Sequence, residues 1–219
     1  DIGKRCAEIM RDTRAAGFEV GIHTWDHVKW QDQVARSDER WTGEEMGAAY
    51  LRFSEIFGEP ARTHGAAGWQ TNVHALRLTQ RLGFDYCSDT RGRCPFMPIW
   101  RGEIIACPQL PTTLPTLDEL IGLEGLTADN VAAHVLRLSE DPPPTGHVYT
   151  LHAELEGMKL LPAFEALLLG WRAMGYELVP MREIFKQLKP ELLPRHELIM
   201  DEIRGRSGTL AMQGKEFLA

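Results

Sequence analysis

The 219-residue sequence predicts an α/β fold in which helices wrap a mostly parallel sheet, open or closed into a barrel. Two observations carry this. At Ala15-Ala16-Gly17 into Phe18, Leu82-Gly83 into Phe84 and Met174-Gly175 into Tyr176, a helical stretch stops at glycine and an aromatic residue at once opens an extended run. Glycine there suits a left-handed helix C-cap, so the repeats read as three tight helix-to-strand connections. Along the rest of the chain, apolar residues at helical spacing alternate with short apolar runs, the order expected when each strand is followed by a helix.

Taken in order, Ile2, Cys6, Ile9 and Met10 share one face of an opening helix. Further helices are expected over residues 43–57, ended by Gly58; over 127–139, where Val131, Val135 and Leu138 share a face; and over 160–171, with Phe164, Leu167, Leu168 and Trp171 inward. Strands are expected at residues 18–23, 63–67, 84–88, 104–110, 147–152 and 176–179. Residues 1–190 read as one domain, and residues 191–219, with little periodicity, as a C-terminal tail without assigned chemistry.

Composition excludes several classes. A net charge of −7 with dispersed Lys and Arg leaves no basic stripe for nucleic acid. Cys6, Cys87, Cys94 and Cys107 form no C-x-x-C pair and are too few for a disulfide scaffold, so they read as reduced, mostly buried thiols of a cytosolic setting. No apolar run approaches the roughly 18 residues that a membrane-spanning helix requires.

In parallel sheets the active site gathers at the C-terminal strand ends, and the polar residues of this chain fall there. His23-Thr24-Trp25-Asp26-His27 follows the first run. Two imidazoles four residues apart, where a strand enters a turn or the start of a helix, can face one point and share a divalent metal. Gly68-Trp69 follows the second run, Asp89 the third and His152 the fifth. Four strand ends meeting on one face point to a metal site far more strongly than the His-x-x-x-His spacing alone. Plainer readings stand beside these: His152 as a hydrogen-bonded core histidine, Asp89 as a turn cap ahead of Gly92, and Trp69 as a packing residue or a pocket wall. Glu154 and Glu156 read as solvated or as contacts to a product amine. Asp85 reads as structural, and His64, His74, His134, His147 and His196, without a convergent partner, as surface or packing residues.

These residues resemble the NodB-type polysaccharide deacetylases, carbohydrate esterase family four. The His-Thr-x-x-His turn, Ser88-Asp89-Thr90-Arg91-Gly92 and Tyr149-Thr150-Leu151-His152 look like successive motifs of that family. The resemblance implies a distorted, incomplete (β/α) barrel. Residues 17–27, 66–69, 110–116 and 150–157 are similar to one branch of it, deformylases that release formate from 4-deoxy-4-formamido-arabinose on undecaprenyl phosphate during lipid A modification. The likeness covers nearly the whole chain. Two departures stand out. Family members open on a strand ending in two aspartates, a metal ligand and the catalytic base, and no Asp-x-Asp precedes His23, so the chain is expected to start inside the fold and lack that strand. The family's Arg-x-Pro motif is replaced by Gly65-Ala66-Ala67-Gly68-Trp69, which favours the deformylase branch.

The resemblance implies roles as well. His23 and His27 would hold Zn²⁺, Co²⁺ or Mn²⁺, with Thr24 bonding across the turn to fix the second ring. The metal would acidify water and polarise the formamide oxygen, and the backbone N–H of Gly68 or Trp69 would hold the oxyanion. His152 would protonate the leaving amine, oriented by Asp89. Arg91 and Arg93 flank the apolar stretch Cys94-Pro95-Phe96-Met97-Pro98-Ile99-Trp100-Arg101. That stretch reads either as a bilayer-facing element that holds a lipid-linked sugar phosphate or as a loop folded on its own core. The expected partner is the lipid-linked formamido sugar, at the cytoplasmic face of a bacterial inner membrane. The rival functions are an N-deacetylase of another glycan and an inactive sugar- or lipid-binding module of the same fold.

Overall fold

Gly17, Gly83 and Gly175 all adopt left-handed φ, 93°, 68° and 89°, so each of the three junctions turns as its glycine requires. The computed structural model describes residues 1–218. From the junctions the chain lays successive segments side by side. Ile22 bridges His64 in parallel; β1 (Thr63–His64) runs parallel to β2 (Tyr86–Cys87); Cys87 bridges Gln109 and Arg91 bridges Thr112, again in parallel. The Thr113 amide then donates to the Val148 carbonyl at 2.9 Å. Five segments therefore lie in sequence order, with helices in every connection but that between the third and the fourth, and the C-terminal ends of the first four share one edge.

The strands are shorter than the sequence suggests. The run at 18–23 contributes only the Ile22 bridge, and no strand forms at 147–152 or 176–179. Val148 is met at its carbonyl by the Thr113 and Leu114 amides, too few bonds for a ladder, and Leu178 and Val179 stay about half exposed. Residue 104 leaves the expected fourth strand, 104–110, altogether. There β4 (Glu103–Ile104) turns back antiparallel onto β3 (Met97–Trp100).

Helices follow their caps. The helix Glu39–Phe57 starts four residues before the expected 43, because Asp38 accepts the Trp41 amide at 2.9 Å, and it ends at Gly58 as expected. His27–Gln33 is a helix capped by Asp26, and Val73–Arg81 one capped by Asn72. Val131–Leu138 and Leu161–Ala173 match expectation to within a few residues.

The expectation of a C-terminal tail without periodicity is corrected. β5 (Arg195–Glu202) pairs parallel with β3, and β6 (Thr209–Glu216) pairs antiparallel with β5, giving a sheet in the order β4-β3-β5-β6. Arg91 joins this sheet to the parallel ladder, donating its amide to the Ala211 carbonyl and accepting the Gln213 amide. The apolar stretch from Cys94 to Arg101 thereby becomes an internal strand. Phe96 and Ile99 are fully buried, so of its two readings the self-packed one holds and those side chains face no bilayer.

Two cores result. One gathers Trp30, Met46, Leu76, Phe84, Cys87, Cys107 and Leu198 under the ladder. The other gathers Leu114, Leu117, Val135, Leu167 and Trp171 between the helices that follow. Among the described residues no helix is long and apolar enough to cross a membrane.

Candidate metal centre and active site

The Ile22 bridge delivers His23 to the strand end, and Asp26 starts a helix whose first residue is His27. The two imidazole centroids stand 5.1 Å apart with ring planes at 53°. Two rings bound through nitrogen to one tetrahedral zinc at about 2.0–2.1 Å would place their centroids about 5.2 Å apart. The pair therefore has the spacing of shared ligands. His23 Nδ1–H donates to the Gly65 carbonyl at 2.6 Å, which assigns the proton to Nδ1 and leaves the Nε2 lone pair free. Desolvation by the surrounding protein lowers the His23 pKa, which favours the neutral ligand form. Both rings line a cleft of about 890 Å³.

Two non-glycine residues with positive φ lie here. Thr24, between the histidines, and Trp69 carry φ of 63° and 53°, uncommon for side chains of their size. Thr24 Oγ1 is buried without a partner, so the expected bond across the turn is not made. Trp69 and Gly68 (φ 61°) form a tight turn in which the Trp69 amide donates to the Ala66 carbonyl at 3.0 Å. That amide is already engaged, which leaves Gly68 N–H as the group to consider for an oxyanion.

The expected Asp89–His152 contact is corrected. Asp89 is buried and accepts from His64 Nδ1–H at 2.7 Å, while Gln109 Nε2 donates to its other oxygen at 3.3 Å. His64, read as a residue without a partner, is thus paired. His152 faces Asp118 instead, with Nδ1 and Oδ1 3.3 Å apart. This neighbour raises the His152 pKa, and the imidazole in turn holds the Asp118 carboxyl well below the usual carboxylate range. Glu156 is neither solvated nor free for an amine. It accepts the His152 amide at 3.0 Å and the Tyr149 hydroxyl at 3.3 Å, capping the short helix that His152 opens. Asp85 pairs with Arg62 on the surface, away from the strand end.

Arg91 is a buried brace. It pairs with Glu119 at 2.6 Å, donates to the Leu114 carbonyl at 2.9 Å and lies over the Trp69 ring, 4.8 Å from its centroid. Arg206, from the turn between β5 and β6, reaches the same Glu119 at 3.1 Å and the same ring at 4.8 Å. Trp69 Nε1–H donates to Thr112 Oγ1 at 3.3 Å, and Thr112 bonds Thr150 at 2.7 Å. This chain links the second strand end to the segment that carries His152. Trp69 is 5% exposed, which favours its packing reading over that of a pocket wall.

Sequence reasoning missed His64, Asp118, Glu119 and Arg206. His64 ends the observed β1, three residues short of the end of the run expected at 63–67, so applying the strand-end rule to the longer run passed it over. Asp118 and Glu119 follow Thr116, the cap of a short helix, where acidic residues read as helix starters.

The chain is 36% identical over 212 residues to the probable 4-deoxy-4-formamido-L-arabinose-phosphoundecaprenol deformylase of Shewanella sediminis, covering 97% of this chain and 67% of that protein. The chain belongs to this deformylase family. A second member, from Wigglesworthia glossinidia brevipalpis and of the same description, is 30% identical over 216 residues, covering 98% of this chain and 74% of that protein. No family model matches the chain. A putative polysaccharide deacetylase from Mycobacterium smegmatis superposes with a TM-score of 0.67 at 17% identity, covering 92% of this chain and 73% of that one. The deformylase-family chain thus has the NodB-type α/β fold, and the strand-end geometry above is the part of that fold where its polar residues collect.

Proposed function

We propose that the chain is a metal-dependent hydrolase that releases formate from a formamido sugar carried on phosphoundecaprenol, with His23 and His27 as metal ligands and His152 as general acid. The observation that carries this reading is the His23–His27 pair, held at ligand spacing by the Gly65 carbonyl, in a chain of the deformylase family. A divalent metal between the rings would supply positive charge that polarises the formamide carbonyl and acidifies the attacking water, whose proton would pass to solvent. The chain's own groups take further parts. Gly68 N–H stabilises charge on the carbonyl oxygen. His152, kept as an imidazolium by Asp118, gives its proton to the departing amine nitrogen, without which an amine leaves poorly. Asp89 and Gln109 fix the strand end from beneath through His64. Since the sugar hangs on a membrane lipid, the protein would work at a bilayer surface.

The test compares formate and acetate release from formamido- and acetamido-arabinose lipids by the protein supplied with Zn²⁺, Co²⁺ or Mn²⁺ in turn. Formate release well above acetate release supports the reading, and the metal that gives the highest rate identifies the cofactor. Preference for the acetamide would replace it with an N-deacetylase.

A further inference from the structure

The hydrolytic reading leaves Arg206 without a task, and its setting gives it one. It rises from the turn between β5 and β6, which is docked on the short helix after Thr116: a Cβ on Gly205 would stand 2.1 Å from the Glu119 carbonyl oxygen. Backbone meets backbone there, so the turn fixes where the side chain starts. Arg206 Nη1 donates to Glu119 Oε1 at 3.1 Å, and the guanidinium lies 4.8 Å from the centroid of the Trp69 ring. Trp69 follows Gly68, and Glu119 follows Asp118, the partner of His152. Arg206 therefore touches the chain neighbours of two groups that serve the reaction, Gly68 at the carbonyl oxygen and Asp118 behind the acid.

Charge is not balanced at this place. Glu119 Oε1 also takes Arg91 Nη1 at 2.6 Å, and Oε2 takes the Thr116 amide at 3.0 Å. Two guanidiniums thus share one carboxylate and leave one positive charge over, while Asp118 is occupied by His152. The excess lies with Arg206. Its side chain is 17% exposed against 8% for Arg91 and 1% for Glu119, and Nη1 is its only side-chain nitrogen with an acceptor among the described residues. Its charge also reaches Asp118: the His152 hydrogen bond is the main cause that lowers the Asp118 pKa, and Arg206 adds to it. A guanidinium presents its N–H groups in a plane that matches two oxygens of a phosphate. In a pyranose the anomeric carbon and the carbon bearing a 4-formamido group lie on opposite sides of the ring, so a phosphate on the first is met one ring's width from the amide under attack.

We propose that Arg206 binds the phosphate that joins the sugar to its lipid, and so places the formamide against the His23–His27 pair. The proposal rests on the deformylase reading above. Arg91, buried and committed to Glu119 and to the Leu114 carbonyl, holds Glu119 in place and leaves the anion to Arg206.

The test measures formate release by the metal-loaded protein, in neutral detergent, from a formamido-arabinose phosphate ester of a short prenol and from the methyl glycoside that lacks the phosphate. The parent should show a KM about ten- to a hundred-fold lower for the phosphate ester. Arg206→Gln should close that gap to within about threefold by raising KM, with kcat on the ester changed by less than about threefold. Arg206→Lys keeps the charge beside Glu119, so in a variant that needs no neutral side chain there the gap should narrow and persist. Arg204→Gln, in the same turn but paired with exposed Glu124, should keep the whole gap. Calorimetry with the aminated sugar 1-phosphate and its methyl glycoside asks the same question without turnover. If neither formamide is hydrolysed while the parent still prefers the 1-phosphate and Arg206→Gln loses that preference, the deformylase reading falls and the phosphate site stands. Equal KM for the two formamides in the parent, a gap that survives Arg206→Gln, or a loss confined to kcat would overturn the role of Arg206.

Discussion

Asp118 is the carboxylate that faces His152, which decides whose removal moves the histidine's proton affinity. A raised pKa keeps the imidazolium populated to higher pH, so catalysis that needs this acid declines only above the raised value. Asp118→Asn removes the main cause of the shift, and the alkaline limb of the kcat/KM profile should move to lower pH. Asp89→Asn should leave that limb in place, because Asp89 bonds His64. His152→Ala should lower kcat by about 10² to 10⁴ while bound metal, measured by elemental analysis, stays constant. An unchanged rate in that variant would remove His152 as the acid. The closeness of His23 and His27 was legible because both fall within five consecutive residues, where strand geometry and a helix start fix their relation. The pairings Asp89–His64 and Asp118–His152 join distant segments, and no local spacing encodes which carboxylate meets which ring.

Among the elements, the hairpin of β5 and β6 shapes the rim through its turn. Gly205 has a φ of 91°, and a Cβ there would lie 2.1 Å from the Glu119 carbonyl oxygen, a backbone atom that cannot yield. Gly205→Ala should therefore push the turn off Glu119, loosen Arg206 from Trp69 and cost at least about 1–3 kcal/mol in chemical denaturation. Stability equal to the parent would show that the turn is not docked. Asp38→Ala should cost about 1 kcal/mol by the same measurement, through loss of the cap on Glu39–Phe57. The helix ends were readable from Gly17, Gly58, Gly83 and Gly175, since a left-handed residue is a local need. The hairpin was not. Of the eight residues of β5 only His196 and Leu198 are buried, and Arg195, Glu197, Asp201 and Glu202 give the strand the polar look of a tail.

Across the molecule, the order of the parallel segments followed from the alternation of helices and extended runs, because short connections leave few other arrangements. Strand length did not follow, since hydrophobic period says which residues can enter a sheet and not whether a neighbour is there to pair with them. The β5–β6 hairpin also closes one core, burying Leu198, Leu210 and Ala211. Removing residues 195–219 should expose Phe96 and Ile99 and yield a protein that unfolds at markedly lower denaturant or aggregates. A truncated chain as stable as the parent would make the hairpin an independent appendage. The proposed function has one divalent metal, held by His23 and His27, drive formamide hydrolysis. The most direct test measures formate released from the formamido-arabinose lipid by the metal-loaded protein, before and after chelation, and by His23→Ala and His27→Ala. The account predicts release that chelation abolishes, that added metal restores, and that either substitution lowers together with bound metal; release that survives chelation or both substitutions would contradict it.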